Sequence, residues 1–185
     1  MYKRQVPASS IVTYRFNPSK LNDSKVKFTW MDGGLRPSQP DQIKEDIGVG
    51  GILIYGEKGI ISCNDYGTRA KLYIDGEVVE TGNFDGIPSN SFNHYTSWVE
   101  AMVDGYGSDK HKNLNSGFDV AGPISEVVLL GNVAVRSGLL KRSPRSNVFI
   151  GRKRLDYDSK NMVITNFDQA NQFLTREYRK GWELN

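Results

Sequence analysis

The sequence predicts an α+β fold, in which antiparallel hairpins occupy the amino-terminal half of the chain and helices the carboxyl-terminal half. Short segments with the two-residue alternation of half-buried strands come first, separated by turn residues. Two longer segments with helical spacing of apolar residues follow. A chain of 185 residues is the size of one domain with a proper core. We therefore expect residues 1–185 to form a single domain.

Three hairpins are predicted before the first helix. The first pairs SIVTYRF (10–16) with KVKFTWMD (25–32). The second turns at Glu57-Lys58-Gly59, where the glycine is expected to supply a positive φ, and the third turns at Asp75-Gly76. The proline- and glycine-containing segment 33–51 has no periodicity and is predicted to be a long surface loop.

The first predicted helix lies within SNSFNHYTSWVEAMVDG and stops at Gly105. Ser and Asn are candidate caps at its start, and its apolar face consists of Phe92, Tyr95, Val99 and Met102. Two short strands, SNVFIG and NMVITN, and a last short helix are predicted further on, with Thr165 and Asp168 in a capping-box pattern.

The second predicted helix covers residues 123–137 and starts at Pro123, because proline is favoured at the first helical position. Its apolar side chains extend over more than one side, so we expect it to be buried on more than one side. Gly131 and Ala134 would let another backbone come close. These features predict that the helix lies across the sheet. Its apolar face comprises Ile124, Val127, Val128, Gly131, Ala134 and Val135, extended by Leu129, Leu130 and Val133.

Composition excludes several classes of protein. Charged residues make up 24% and hydrophobic residues 38%, as in folded soluble proteins. The single cysteine, Cys63, excludes an internal disulfide, and with two histidines the usual Cys/His zinc sites are excluded too. A buried, inert thiol is favoured for Cys63 over a nucleophile. No uncharged apolar run is long enough to cross a bilayer, and the N-terminus has no secretory apolar core, so we expect a cytoplasmic protein unless an upstream segment carries a signal.

One stretch is strongly basic although the net charge of the chain is only +3. LLKRSPRSNVFIGRKR could contact phosphates, but a solvated loop with a basic strand edge is the favoured interpretation. Arginines and aromatics are not interleaved there in the way that stacks single-stranded bases, so no nucleic acid partner is predicted.

Four residues are candidates for contact with a ligand. His94 stands near a helix start with Trp98 one turn later, where it could face a pocket or simply stack on Trp98. Asp32, Tyr66 and Arg69 stand at strand ends or turns, where ligand-facing side chains concentrate, although Asp32 could equally serve to make its turn. Neither a Gly-rich phosphate loop nor a GxSxG nucleophile elbow is present, and GVGG (48–51) leads into a strand.

An ordered set of segments resembles a known family. FTWMDGGLRPSQP, GGILIYGEKGIISCNDYG, HYTSWVEAMVDG, AGPISEVVLLGNVAVRSG and ITNFDQANQFLTREYRKGWEL are similar to the carboxyl-terminal domain of the glucose-fructose oxidoreductase and inositol dehydrogenase (Gfo/Idh/MocA) family. The similarity covers nearly the whole chain and is greatest to sugar dehydrogenases of Bacteroidetes. It implies a large open antiparallel sheet with helices on one face, as in the carboxyl-terminal domain of glyceraldehyde-3-phosphate dehydrogenase.

The resemblance also implies what this chain lacks. In that family, NAD or NADP binds to an amino-terminal Rossmann domain. The cofactor glycines, the Glu-Lys-Pro lysine and the Asp-x-x-x-His pair all precede the part that this chain resembles. Glu57-Lys58-Gly59 is not that Glu-Lys-Pro motif, because glycine replaces proline within a hairpin turn. No catalytic, cofactor-binding or metal-binding residue is therefore expected here, and the short MYKRQ lead-in has no evident structural role.

Two functions are expected for this chain. The first is a substrate-binding and oligomerisation domain of an NAD(P)-dependent sugar or polyol oxidoreductase, inactive alone. The second is a carbohydrate-binding or assembly module without a cofactor. Because the strands carry apolar residues at both parities, the sheet face that the helices leave open is expected to form a homodimer.

Overall fold

The structure is a computed structural model that describes residues 7–20, 22–79, 93–176 and 178–183. It contains helices and antiparallel sheets, which confirms the α+β class. Contacts between Cα atoms divide the chain into an amino-terminal unit, Pro7–Ser91, and a carboxyl-terminal unit that includes Phe92–Asn185. The single domain predicted from chain length stays a prediction.

The amino-terminal unit begins with the first predicted hairpin, formed by β1 (Ile11–Phe16) and β2 (Val26–Met31). Directly opposed residues share a face of a sheet. The register therefore gives one wholly apolar face, in which the ring centroids of Tyr14 and Phe28 are 5.5 Å apart. The alternation in this hairpin is cleaner than the sequence analysis supposed. The apolar face consists of Val12, Tyr14, Phe16, Val26, Phe28 and Trp30.

The other two predicted hairpins are confirmed and form one four-stranded antiparallel sheet. Its strands, in spatial order, are β3 (Ile52–Tyr55), β4 (Ile60–Cys63), β5 (Lys71–Ile74) and β6 (Glu77–Val79). Asp75 and Gly76 both have positive φ, 51° and 82°, as a tight two-residue turn requires. Gly59 does not have positive φ. A Cβ atom there would stand 2.2 Å from the carbonyl oxygen of Tyr73, so close backbone approach is what requires glycine.

The expected single large sheet is not formed by the described strands. They form separate sheets of two, four and two strands. Asp32 closes the β1–β2 hairpin through hydrogen bonds to Ser10, and segment 33–51 then leaves the sheet as a loop before β3 begins. The pairing therefore does not continue from β2 to β3.

One face of the four-stranded sheet is covered by the 33–51 loop. Ile43 is buried against Ile60 and Tyr73 in a small apolar core. Glu45 of the same loop accepts a hydrogen bond from the Tyr73 hydroxyl and pairs with Lys71 Nζ at 2.7 Å. Within this unit, a loop thus covers the face for which helices were expected.

The carboxyl-terminal unit starts with α1 (His94–Asp104), whose cap is Asn93, and continues with the short α2 (Asp109–Lys112). The Asn93 side chain accepts hydrogen bonds from the Tyr95 and Thr96 amides, so the observed cap lies inside the stretch that was predicted to be helical. The predicted start of this helix at 89–92 lies outside the described residues. Its predicted apolar face was wrong as a buried face, because Tyr95, Val99 and Met102 are 86%, 52% and 62% exposed and Ala101 is the buried residue.

The long helix α3 (Phe118–Gly138) begins before the predicted start at Pro123. Amides of Val120 and Ala121 already donate to the Gly117 carbonyl, so Pro123 is an interior residue of the helix. The buried residues are Gly131, Val133 and Ser137, whereas Ile124, Val128 and Leu129 are largely exposed. The prediction that this helix is buried on more than one side was therefore wrong.

The partner of α3 within its unit is the 3₁₀ helix Asp168–Phe173, not a sheet of hairpins. A second apolar core lies beneath this 3₁₀ helix and contains Ile164, Phe167 and Ala170. A Cβ atom at Gly151 would stand 1.8 Å from the Ser137 carbonyl oxygen, so the backbone at Gly151 crosses α3 with no room for a side chain.

Between α3 and the 3₁₀ helix, the chain forms a short hairpin of β7 (Tyr157–Asp158) and β8 (Val163–Ile164). β8 confirms the strand predicted in NMVITN, but SNVFIG forms only an isolated bridge between Lys141 and Phe149. The capping box was wrong, because the Thr165 hydroxyl donates to the Asp156 carbonyl. The last predicted helix is the six-residue 3₁₀ helix.

Among the described residues, α3 is the one helix long and apolar enough to cross a membrane by length and composition. A single helix of this kind is weak evidence, since helices of soluble proteins pass the same test. The finding is compatible with a soluble protein.

Candidate functional site

A groove of about 880 Å³ runs along α3 and lies entirely in the carboxyl-terminal unit. We call it the α3 groove. One wall is α3, and the other comes from residues that follow it, including Tyr157, Met162 and Phe173. Its size falls within the range of ligand pockets, and its lining is mainly apolar with a few polar side chains. The polar and charged side chains are Ser125, Glu126, Asn132, Arg136 and Tyr157.

The central polar contact of the α3 groove joins Glu126 of α3 to Tyr157 of β7. The tyrosine hydroxyl donates a hydrogen bond of 2.6 Å to Oε1 of Glu126, and both residues are half-buried. The second carboxylate oxygen accepts no hydrogen bond from the described residues. It is thus open to a donor from a ligand.

Burial, followed by the hydrogen bond to Glu126, raises the pKa of Tyr157 to about 12. The phenol therefore keeps its proton at neutral pH and remains a donor. A general base needs a pKa close to the working pH, so Tyr157 is unsuited to that role. The pair is suited to binding hydroxyl groups.

The two ends of the groove differ in charge. Arg136, in the last turn of α3, places its guanidinium 4.3 Å from the centroid of the Phe173 ring. It is ten residues from Glu126, which corresponds to about 15 Å along the helix axis. Met162 projects from the β7–β8 hairpin with φ of 51°, a left-handed conformation that is uncommon for a side chain of this kind.

A second surface lies in the amino-terminal unit, on the face of the four-stranded sheet opposite the 33–51 loop. We call it the open sheet face. The register places seven apolar side chains and one carboxylate there. Ile54, near its edge, is 53% exposed. The residues are Ile52, Ile54, Ile61, Cys63, Leu72, Ile74, Val79 and Glu77.

Asp32, a predicted ligand contact, is engaged within its own hairpin. Its carboxylate accepts from the Ser10 amide at 2.6 Å, the Ser10 hydroxyl at 2.8 Å and the Trp30 indole at 3.3 Å. The Ser10 hydroxyl is the main cause of the lowered pKa of Asp32. These contacts support the turn-making alternative.

Of the other three predicted residues, two lie in one connection of the amino-terminal unit and the third lies in the other unit. Tyr66 and Arg69 share the β4–β5 connection, where the Asn64 side chain accepts from the Tyr66 amide, and Arg69 has φ of 56°. His94 is the first residue of α1, in the other unit. Their contact with a substrate stays a prediction.

Glu126, Tyr157 and Arg136 are the site residues that the sequence analysis missed. One signal was available for Glu126, because it is the lone carboxylate in the apolar stretch ISEVVLLGNVAV. Tyr157 could not be found in this way, since its strand has only two residues and is paired through a turn.

The described residues contain no group of three or more His, Cys, Asp or Glu side chains that could hold a metal ion. The glycine-rich segment 48–51 leads into β3, whereas a pyrophosphate needs a helix N-terminus after such a turn.

Comparison of the chain with known protein families and with curated proteins finds no match.

Proposed function

We propose that this chain is the substrate-binding and oligomerisation domain of an NAD(P)-dependent sugar or polyol oxidoreductase, and that it is inactive alone. The observation that supports the substrate-binding part is the Glu126–Tyr157 pair in the α3 groove. The open sheet face supports the oligomerisation part.

The groove matches the chemistry of a polyol. A sugar presents several hydroxyl groups, each of which donates and accepts hydrogen bonds, together with patches of C–H surface. Glu126 offers a free acceptor, Ser125 and Asn132 offer further polar groups, and Leu129 and Phe173 offer apolar contact. The groove would form one wall of the substrate cleft.

The catalytic chemistry would come from elsewhere in the complete enzyme. Bound NAD or NADP would exchange a hydride with a carbinol carbon, and it would sit on the Rossmann domain that precedes this part in the resembled family. Segment 48–51 of this chain does not fit a dinucleotide, because it leads into β3 and not into a helix. We propose a cytoplasmic location and neither nucleic acid nor membrane as a partner.

The assembly role rests on the open sheet face. Antiparallel sheets with one solvated face normally carry polar residues there, and this face is apolar except for Glu77. Contiguous apolar surface of this kind marks an interface. A two-fold homodimer formed face to face through this surface would cover it on both copies.

The alternative function is a carbohydrate-binding or assembly module without a cofactor. The same groove and the same face would serve it. The two are separated by reading the coding sequence upstream of this segment, since an in-frame GxGxxG strand-turn-helix favours the oxidoreductase and a stop codon followed by a ribosome-binding site favours the module.

The substrate-binding role is tested by NMR titration of the chain with glucose and with inositol at millimolar concentration. Shifts should concentrate on α3, Tyr157 and Phe173, and Glu126→Gln should weaken them severalfold because it replaces the charged acceptor. Glu100→Gln, on the exposed surface of α1, is the matched control. Shifts that Glu126→Gln and Glu100→Gln affect equally would contradict the role.

A further inference from the structure

We propose that the α3 groove takes a sugar or polyol that carries one anionic group, a carboxylate or a phosphate, and that Arg136 binds that group. The inference rests on the proposed function and names the substrate class of the same site. It is carried by the placement of Arg136, by the charge around it and by the position of Glu126.

Arg136 lines the groove and is held by a cation–π contact with Phe173, not by a salt bridge. Its guanidinium carbon lies 4.3 Å from the centroid of the Phe173 ring, and none of its N–H groups donates a hydrogen bond to the described residues. No carboxylate of the described residues lies within salt-bridge distance of it. A guanidinium with free N–H groups can bind a carboxylate or phosphate through two parallel hydrogen bonds.

The simplest structural role for Arg136 is to stabilise the carboxyl end of α3, since a cation is favourable in the last helical turn. That role requires no particular neighbour and leaves the N–H groups open. This structural role is therefore compatible with ligand binding. It does not explain why the guanidinium lies over Phe173, a ring that lines the groove.

The chain continues from Arg136 into its most basic segment. Leu139 and Leu140 still line the groove, and six cations without a single carboxylate follow before Leu155. Of these six, only Arg154 is ion-paired within the described residues, to Asp156 at 2.8 Å. The cations are Lys141, Arg142, Arg145, Arg152, Lys153 and Arg154. None of the six lines the groove, but the chain that follows its Arg136 end is positive, which favours the approach of an anion.

Glu126 determines which way round the ligand lies in the groove. Its carboxylate repels an anionic group and accepts from hydroxyl groups, so the polyol part lies near Tyr157 and the anionic part near Arg136. The ten-residue separation along α3 is the span that such a ligand must bridge, about 15 Å along the helix axis.

The test compares glucose, D-glucuronate and glucose-6-phosphate in NMR titrations of the whole chain at low ionic strength. We expect at least one of the two anionic sugars to bind roughly tenfold more tightly than glucose, in keeping with a charged hydrogen bond. The better of the two identifies carboxylate or phosphate as the anionic group. Arg136→Gln should reduce its affinity to that of glucose, and Arg136→Lys should retain part of the gain.

Arg179→Gln is the matched control, because the Arg179 guanidinium also lies over an aromatic ring, 5.1 Å from the centroid of Trp182, and does not line the groove. Equal affinity for charged and neutral sugars would overturn the inference, as would equal losses in Arg136→Gln and Arg179→Gln. If Arg136→Gln does not fold, Arg136→Lys decides, since the inference requires that it bind the anionic sugar more weakly than the native chain. Glucose binding that depends on Glu126 would leave the proposed function standing in either case, whereas absence of all sugar binding would overturn both.

Discussion

Tyr157 holds its proton in the folded chain more tightly than a free phenol, and this makes its contribution to stability depend on pH. Burial and the hydrogen bond to Glu126 raise its pKa from the ordinary 10.0 to about 12. Below the lower value both the folded and the unfolded chain keep the proton, so the hydrogen bond contributes fully. Between the two values only the unfolded chain ionises, so the contribution is lost as pH rises.

We expect Tyr157→Phe to lower the free energy of unfolding by about 1 kcal/mol at neutral pH, since the change removes one hydrogen bond. The difference from the native chain should shrink as pH rises from about 10 to about 12. Urea unfolding followed by circular dichroism across this range measures it. A difference that stays constant over the alkaline range would show that the pair is not coupled to folding, and Tyr95→Phe, which changes an exposed ring, is the control.

Gly151 is expected to be among the least replaceable residues of the carboxyl-terminal unit. In Gly151→Ala the new Cβ would stand 1.8 Å from the Ser137 carbonyl oxygen, so the backbone must move, at a cost of about 3 kcal/mol. Gly138→Ala is the matched control, because no atom lies within 4 Å of a Cβ there. Denaturant midpoints that fall equally in the two variants would refute this account.

The 33–51 loop is expected to behave as part of the sheet core and not as a mobile surface loop. Ile43 is 3% exposed and packs on Ile60 and Tyr73, so Ile43→Ala should cost about 3 kcal/mol. Val49→Ala, in the same loop but at a residue that is 91% exposed, should change stability by less than about 0.5 kcal/mol. Thermal unfolding of both variants measures the contrast, and equal stabilities would mean that the loop does not anchor the sheet.

At the scale of elements, alternation and turn residues predicted where strands and turns form. The three hairpins followed from alternation and turn residues. What covers each element was not predictable, because periodicity gives the apolar side of a strand or helix and says nothing of its partner. Ile43 stood in a segment without periodicity and became the cover of the sheet, whereas Val99 and Met102 stood in a clear helical pattern and are exposed.

The candidate site shows the same division. Asp32 was singled out by its position at a strand end, and its oxygens are taken by Ser10 and Trp30. The Glu126–Tyr157 pair joins residues 31 positions apart, across α3, a basic segment and a two-residue strand. No spacing rule connects such residues before the fold is known, so the pair could be found only from the structure.

For the molecule as a whole, we expect neither NAD nor NADP to bind to this chain alone. Dinucleotide binding requires backbone N–H groups at a helix N-terminus after a glycine-rich turn, and segment 48–51 is followed by a strand. Isothermal titration calorimetry at micromolar concentrations should show no heat of binding. Micromolar affinity for either nucleotide would contradict both this expectation and the assignment of the cofactor to another domain.

We expect this chain to self-associate through the open sheet face. The face carries apolar side chains from all four strands, and burying it against a second copy removes them from water while the opposite, loop-covered face stays as it is. Light scattering at micromolar concentration should therefore give twice the chain mass of 20.8 kDa. Ile54→Lys places a charge on the open sheet face and should give the mass of a monomer, whereas Tyr55→Lys, at the neighbouring residue on the other face, should leave the dimer intact. A native chain that elutes with the mass of a monomer, or a dimer that both substitutions disrupt equally, would place the contact elsewhere.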